Sequence, residues 1–266
     1  MISAISSKRA AEQAFDLFCT PFLRSKRRVK PANAEELQFK IKNNTIKGHR
    51  WNHPQNNKVL ILHGFASAAY KFDGYVAPLV KQGFEVLSFD APAHGNSTGK
   101  KTNALEYSEM INMAIEQFGP IQNFIAHSFG GIALSLALEE KQIPNGTKIV
   151  FIAPATETVS AIDAAFSMLK VKSAAVRKEF DDIIKKISGK EPSWFSIRRA
   201  IRNIDAKVLW MHDEDDDVTP IKDALKVKED NFSNIEFVIT KGLGHRRIYH
   251  DKVVKNKVIS FLEMPS

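Results

Sequence analysis

The chain has 266 residues, 44% of them hydrophobic and 26% charged, with a formal net charge of +8. These are the proportions of a folded globular protein, and they exclude intrinsic disorder and collagen-like repeats. The single cysteine, Cys19, excludes an intrachain disulfide and a cysteine-based zinc site.

No apolar run approaches the roughly 20 residues needed to span a bilayer. The N-terminal stretch MISAISSKRAAEQAFDLF lacks the continuous apolar core of a signal peptide. A cytoplasmic location with no membrane span is therefore expected. The charge is uneven: residues 1–35 hold 7 basic and 3 acidic side chains, and residues 241–266 hold 6 and 2. The stretch between them, 36–240, holds 25 of each. Solvated termini are the expected reading, rather than a nucleic-acid or lipid partner.

The elements follow in chain order. Ala10, Ala14, Phe15 and Phe18 recur at helical spacing, and Pro21 closes that helix. Arg24, Lys26, Arg27, Arg28 and Lys30 then read as an exposed basic linker. Leu37, Phe39 and Ile41 alternate with polar residues as in an edge strand, and a second short strand follows over 45–51.

Val59 to Leu62 is a short apolar run of the kind found in central parallel strands. Phe72, Tyr75, Val76, Leu79 and Val80 line one helix face, and Gly83 stops that helix. A strand over 84–89 comes next, then a helix carrying Tyr107, Ile111, Ala114, Ile115 and Phe118. Phe124 to Ala126 is a strand and 129–140 an Ala/Leu-rich helix. Ile149 to Ala153, Val208 to Met211 and Ile235 to Ile239 are three more strands, and a last helix covers 249–262. Such alternation implies helices on both faces of a mostly parallel twisted sheet.

One interval breaks the rhythm. Between Ala153 and Lys207 there is no strand signal, only two or three helical patterns, too many for one crossover. A helical cap over the C-terminal edge of the sheet is expected, since ligands bind at that edge in open α/β sheets. The expected organisation is an N-terminal helix and basic linker (1–35), a core (36–155 and 204–266) and a cap (156–203).

The chemistry-bearing segments sit at strand ends. In Ile125-Ala126-His127-Ser128-Phe129-Gly130-Gly131 a serine stands at a strand-to-helix turn, nearly matching a G-x-S-x-G nucleophile elbow with Ala126 for the first glycine. Small residues are needed there because strand and helix backbones pass closely. By itself the segment also fits a helix N-cap. His63-Gly64-Phe65 directly follows an earlier strand, and Asp90 to Ser97 is a turn-rich loop in which His94 is expected to buttress the backbone.

Five consecutive acids, Asp213 to Asp217, read as a solvated loop, a calcium site or the source of a catalytic acid. His245 ends Lys241-Gly242-Leu243-Gly244-His245 after the last strand. The histidines at 63, 94, 127, 212 and 245 follow different strands, without the i, i+4 spacing of H-E-x-x-H, so no metal site is expected.

Taken together, L-H-G-F (62–65), F-D-A-P-A-H-G-N-S (89–97), A-H-S-F-G-G (126–131), H-D-E-D-D-D-V-T-P (212–220) and G-L-G-H (242–245) resemble the α/β-hydrolase-fold serine hydrolases. The resemblance implies that fold with a helical cap insertion. It also implies a triad in the order Ser128, an aspartate, His245. Laid on the acid motif H-G-x-x-D-x-x-V-P, the aspartate falls on Asp216, with Asp215 and Asp217 beside it; some members of the fold carry the acid after an earlier strand, which makes Glu157 the alternative here. Asp213 and Ala93 stand where the family has glycine.

The backbone N–H groups of Phe65 and Phe129 would form the oxyanion hole. The implied activity is hydrolysis of an ester-like bond of a small hydrophobic substrate, with no cofactor. Thioester or carbon–carbon bond hydrolysis, a lyase reaction and ligand binding without turnover use the same scaffold. Phe166, Met168, Leu169, Trp194 and Phe195 of the expected cap are apolar enough to cover such a substrate, though packing accounts for most of them.

Overall fold

The computed structural model describes residues 6–22 and 24–264. Eight strands form one sheet: β1 (Ala34–Ile41), β2 (Asn44–Trp51), β3 (Lys58–Leu62), β4 (Glu85–Phe89), β5 (Asn123–His127), β6 (Lys148–Ile152), β7 (Lys207–Asp213) and β8 (Ile235–Thr240). Their spatial order is β1-β2-β4-β3-β5-β6-β7-β8. The β1–β2 hairpin is antiparallel and β2 joins β4 antiparallel. Every pairing from β4 onward is parallel.

Ten helices accompany the sheet among the described residues: α1 (Ser7–Phe18), α2 (Asp73–Lys81), α3 (Ala104–Phe118), α4 (Phe129–Leu138), α5 (Thr158–Met168), α6 (Ala174–Ser188), α7 (Ile197–Ala200), α8 (Ile221–Glu229), α9 (Gly244–Arg247) and α10 (Lys252–Glu263). The C-terminal helix starts later than its apolar spacing predicts. Ile248 to His250 form a separate 3-10 turn, and the Asp251 side chain caps α10 by accepting from the Val253 and Val254 amides.

Strand polarity explains the layering. Leu37, Phe39 and Ile41 of β1 are buried between exposed neighbours, as expected for an edge strand with one wet face. β4, β5 and β6 are buried at every position because helices cover both sides. Along β3, Leu60 and Leu62 enter one core, while Val59 and Ile61 enter the other with Tyr75 and Leu79 of α2 and Val258 and Phe261 of α10. The first core also takes Tyr107 and Ile111 of α3 and most of α4.

The excursion between β6 and β7 contains α5, α6, a 3-10 turn (Pro192–Trp194) and α7. Its Ile162, Phe166, Phe180, Phe195 and Ile197 belong to the same apolar core as α3 and α4. Phe166 and Phe195 are therefore packing residues, whereas Met168 is 78% exposed. The N-terminal helix docks on this excursion: Phe15 and Phe18 meet the Phe180 ring edge-on, with centroids 5.6 and 5.7 Å away.

The basic linker departs from the expectation of free exposure. Arg24 donates to the carbonyls of Gly95 and Gly99, and Arg27 pairs with Asp73 at 2.5 Å. These partners sit on loops far away in sequence, so local charge pattern gave no sign of them. No helix among the described residues is long and apolar enough to cross a membrane.

Candidate active site

All parallel strands end at one edge, which gathers the loops after β3, β4, β5, β7 and β8. Ser128 occupies the turn from β5 into α4 with φ 53° and ψ −119°. A non-glycine residue in that region carries about 1–3 kcal/mol of strain, which close packing must hold in place. The packing is visible at the glycines. A Cβ on Gly130 would lie 2.8 Å from the His63 carbonyl oxygen, and one on Gly64 would lie 2.9 Å from the Ser128 Cβ. Ala126 is fully buried, so the one methyl group beyond glycine is accommodated.

His245 opens toward the serine from the loop after β8. Its Nε2 lies 3.0 Å from Ser128 Oγ and its Nδ1 lies 2.8 Å from Asp216 Oδ2. Asp216 Oδ1 accepts from the amides of Val218 and Thr219, and Oδ2 accepts from the Thr219 hydroxyl. Burial works to raise the Asp216 pKa, but the His245 contact and the two amides outweigh it and leave the carboxyl below its usual value. Asp215 and Asp217 are exposed, and Asp215 caps the Gly242 amide instead. Glu157 accepts from the Ser196 hydroxyl.

Phe65 and Phe129 flank the serine. Phe129 is the first residue of α4, so its N–H has no intrahelical acceptor. The Phe65 N–H has no hydrogen-bond partner among the described residues. The two rings meet edge-on at 5.5 Å. His94 holds this loop: its Nδ1 donates to Pro92 O and its Nε2 accepts the Ala66 amide. His63 does the same job one turn earlier, donating to Gly64 O and accepting from the Ala91 amide.

His127 donates from Nε2 to the His245 carbonyl, with the ring centroids 4.7 Å apart. Burial pushes His63 down to about 4 and His94 and His127 down to about 3, so all three are neutral at ordinary pH.

Two departures from the family pattern acquire reasons. Ala93 adopts φ 66°, the left-handed conformation that glycine takes without strain. Asp213 is more informative, and its role was not legible in the acidic run. It is fully buried and ties two loops together, accepting from the amides of Asp215, Leu243 and Gly244 and from the Thr240 hydroxyl. Burial tends to raise its pKa, but those four donors overcome it and hold the carboxyl low.

Asp213→Ala strands these donors and frees the loop bearing His245. The expected cost is about 3 kcal/mol of stability, from lost hydrogen bonds to a charged group, with a fall in kcat. Urea unfolding and steady-state kinetics measure both, and a variant with unchanged midpoint and kcat would remove the loop-tying role.

An eight-stranded, mostly parallel sheet with a serine at a strained strand-to-helix turn and a histidine after the last strand defines the α/β-hydrolase fold. Residues 57–181 match the family model described as alpha/beta hydrolase fold. The esterase Pf2001 of Pyrococcus furiosus superposes with a TM-score of 0.68 at 20% identity, covering 90% of this chain and 97% of that one. A thioesterase domain from the curacin biosynthetic pathway gives 0.59 at 16% identity, covering 87% and 99%. An uncharacterized hydrolase of Bacillus subtilis, YugF, is 25% identical over 111 residues, a match spanning 40% of each chain. The chain therefore has the α/β-hydrolase fold.

Proposed function

We propose that the protein is a serine hydrolase that cleaves an ester-like bond of a small hydrophobic substrate through Ser128, His245 and Asp216. The observation that carries this reading is the continuous line Asp216–His245–Ser128, with contacts of 2.8 and 3.0 Å, ending at a serine on a strained turn. Ser128 Oγ attacks the carbonyl while His245 Nε2 takes its proton. Asp216, held ionised by its donors, fixes the imidazole tautomer and stabilises the imidazolium. The N–H groups of Phe65 and Phe129 receive the oxyanion, each worth about 3–4 kcal/mol in the transition state.

His245 then protonates the leaving group, and water, deprotonated by the same imidazole, releases the acyl group. The half-buried Phe65 and Phe129 rings beside the serine favour an apolar acyl or alcohol group.

A fluorophosphonate probe tests the assignment. Wild type is expected to label on Ser128 and Ser128→Ala to stay unlabelled. An unlabelled wild type, or equal labelling of both, overturns it.

A further inference from the structure

One concavity of the molecule is not lined by Ser128. It lies beyond β4, between the basic linker and the β1–β2 hairpin, and has a volume of about 1210 Å³. Six cationic side chains line it: Arg24, Lys26, Arg27, Arg28, Lys30 and Lys47. The acids on its wall are Glu36 and Asp90. Asp90 is already engaged, its carboxylate accepting from the amides of Ala69 and Asn96. Glu36 stands 4.0 Å from Lys30, and Arg27 is matched by Asp73.

Four cations are left without a carboxylate. Arg24 is spent on neutral carbonyls and Lys47 bonds the Gln38 amide. Lys26 and Arg28 have no hydrogen-bond or ion-pair partner among the described residues. The linker wall is fastened to its neighbouring loop. Arg24 bonds the loop after β4, and Asn96 Nδ2 donates to the Arg27 carbonyl.

We propose that this cavity is a binding site for a phosphate- or pyrophosphate-bearing small molecule, separate from the site at Ser128. Uncompensated positive charge inside a concavity focuses the field on an anion, whereas the same charges on a convex face are screened. A guanidinium fork matches phosphate oxygens in pairs, and Arg28 supplies one here beside the Lys26 ammonium. The volume exceeds what a lone phosphate needs and leaves room for the group that carries it. The order β2-β4-β3-β5 sets two strands between this cavity and Ser128, so the anion is not the bond being cleaved. The charge excess at residues 1–35 thereby gains a place to act.

The test is calorimetric titration with inorganic pyrophosphate at moderate salt, beside inorganic phosphate and phosphatidylserine vesicles. Saturable binding of pyrophosphate is expected, with weaker binding of phosphate. The Lys26→Ala/Arg28→Ala variant alters only exposed side chains and is expected to bind at least about tenfold more weakly. Ser128→Ala is expected to bind as wild type does, and the His49 imidazole resonance, at the cavity wall, is expected to move on titration. Absent saturable binding, an affinity untouched by the double variant, or vesicle binding that pyrophosphate fails to compete away would each overturn the proposal.

Discussion

Ser128→Ala is expected to lower kcat on a nitrophenyl ester by at least about a thousandfold, with little change in fold stability. The serine hydroxyl is replaced by a methyl group of similar bulk, and the strained turn keeps its neighbours. His245→Ala should fall by a comparable factor. Asp216→Asn should be severe but milder, because the amide leaves the imidazole in place while weakening control of its tautomer.

The three act as one unit, so Ser128→Ala/His245→Ala is expected to be no slower than either single variant, within severalfold. The residual rate reports the Phe65 and Phe129 donors and substrate binding. Multiplicative losses in the double variant would show that serine and histidine act independently, which the proposed proton transfer forbids. If Asp215→Asn proved the damaging change and Asp216→Asn were silent, the acid would lie one residue earlier.

Acid is expected to unfold the protein sharply. Unfolded histidines titrate near about 6.5, whereas burial holds His63 at about 4 and His94 and His127 at about 3. Between those values the unfolded chain binds protons that the folded chain refuses. Stability is therefore complete above the unfolded value and is lost as pH falls toward the folded ones. Each group contributes a slope of about 1.4 kcal/mol per pH unit, so the three together contribute about 4.

Lowering the pH from 6.5 to 5 would then remove about 5 kcal/mol, comparable to the whole stability of a marginal domain. The geometry supplies the reason: His63 and His94 each accept a backbone N–H on the nitrogen that would have to be protonated.

Asp213 and Asp216 act in the same direction but lower. Their depressed values hold stability above the ordinary carboxylate range and release it as pH falls through the folded values. Denaturant unfolding at pH 5 to 8 measures the slope, and a change under about 1 kcal/mol between pH 7 and 5 would refute the assignment. His94→Gln, which keeps an acceptor near Ala66, should reduce the slope by about one proton.

The order of strands and helices was legible because burial on one or both faces imposes a period on the chain, and that period survives in the sequence. The chemistry-bearing segments were legible for a related reason. Parallel strands all finish at one edge, so residues just past strand ends are the ones that meet. Ser128 and His245 were named on that basis and Asp216 from the resemblance to the family's acid motif, and the structure brings the three within hydrogen-bonding distance.

What the sequence left open was decided by turns and by long-range contacts. Composition alone does not distinguish Asp216 in five consecutive acids, and only the resemblance to the family's acid motif singled it out. The backbone after β7 turns Asp216 inward onto the Val218 and Thr219 amides and leaves Asp215 and Asp217 in water. The tying role of Asp213, the docking of Phe15 and Phe18 on Phe180, and the cavity under Arg24 to Lys30 have the same origin. Each joins residues far apart along the chain, and local propensity carries no record of such distant pairings. Periodicity therefore determined the layers and the edge at which function sits, while the tertiary fold alone decided how Asp216 is turned onto the histidine and where the terminal charge gathers.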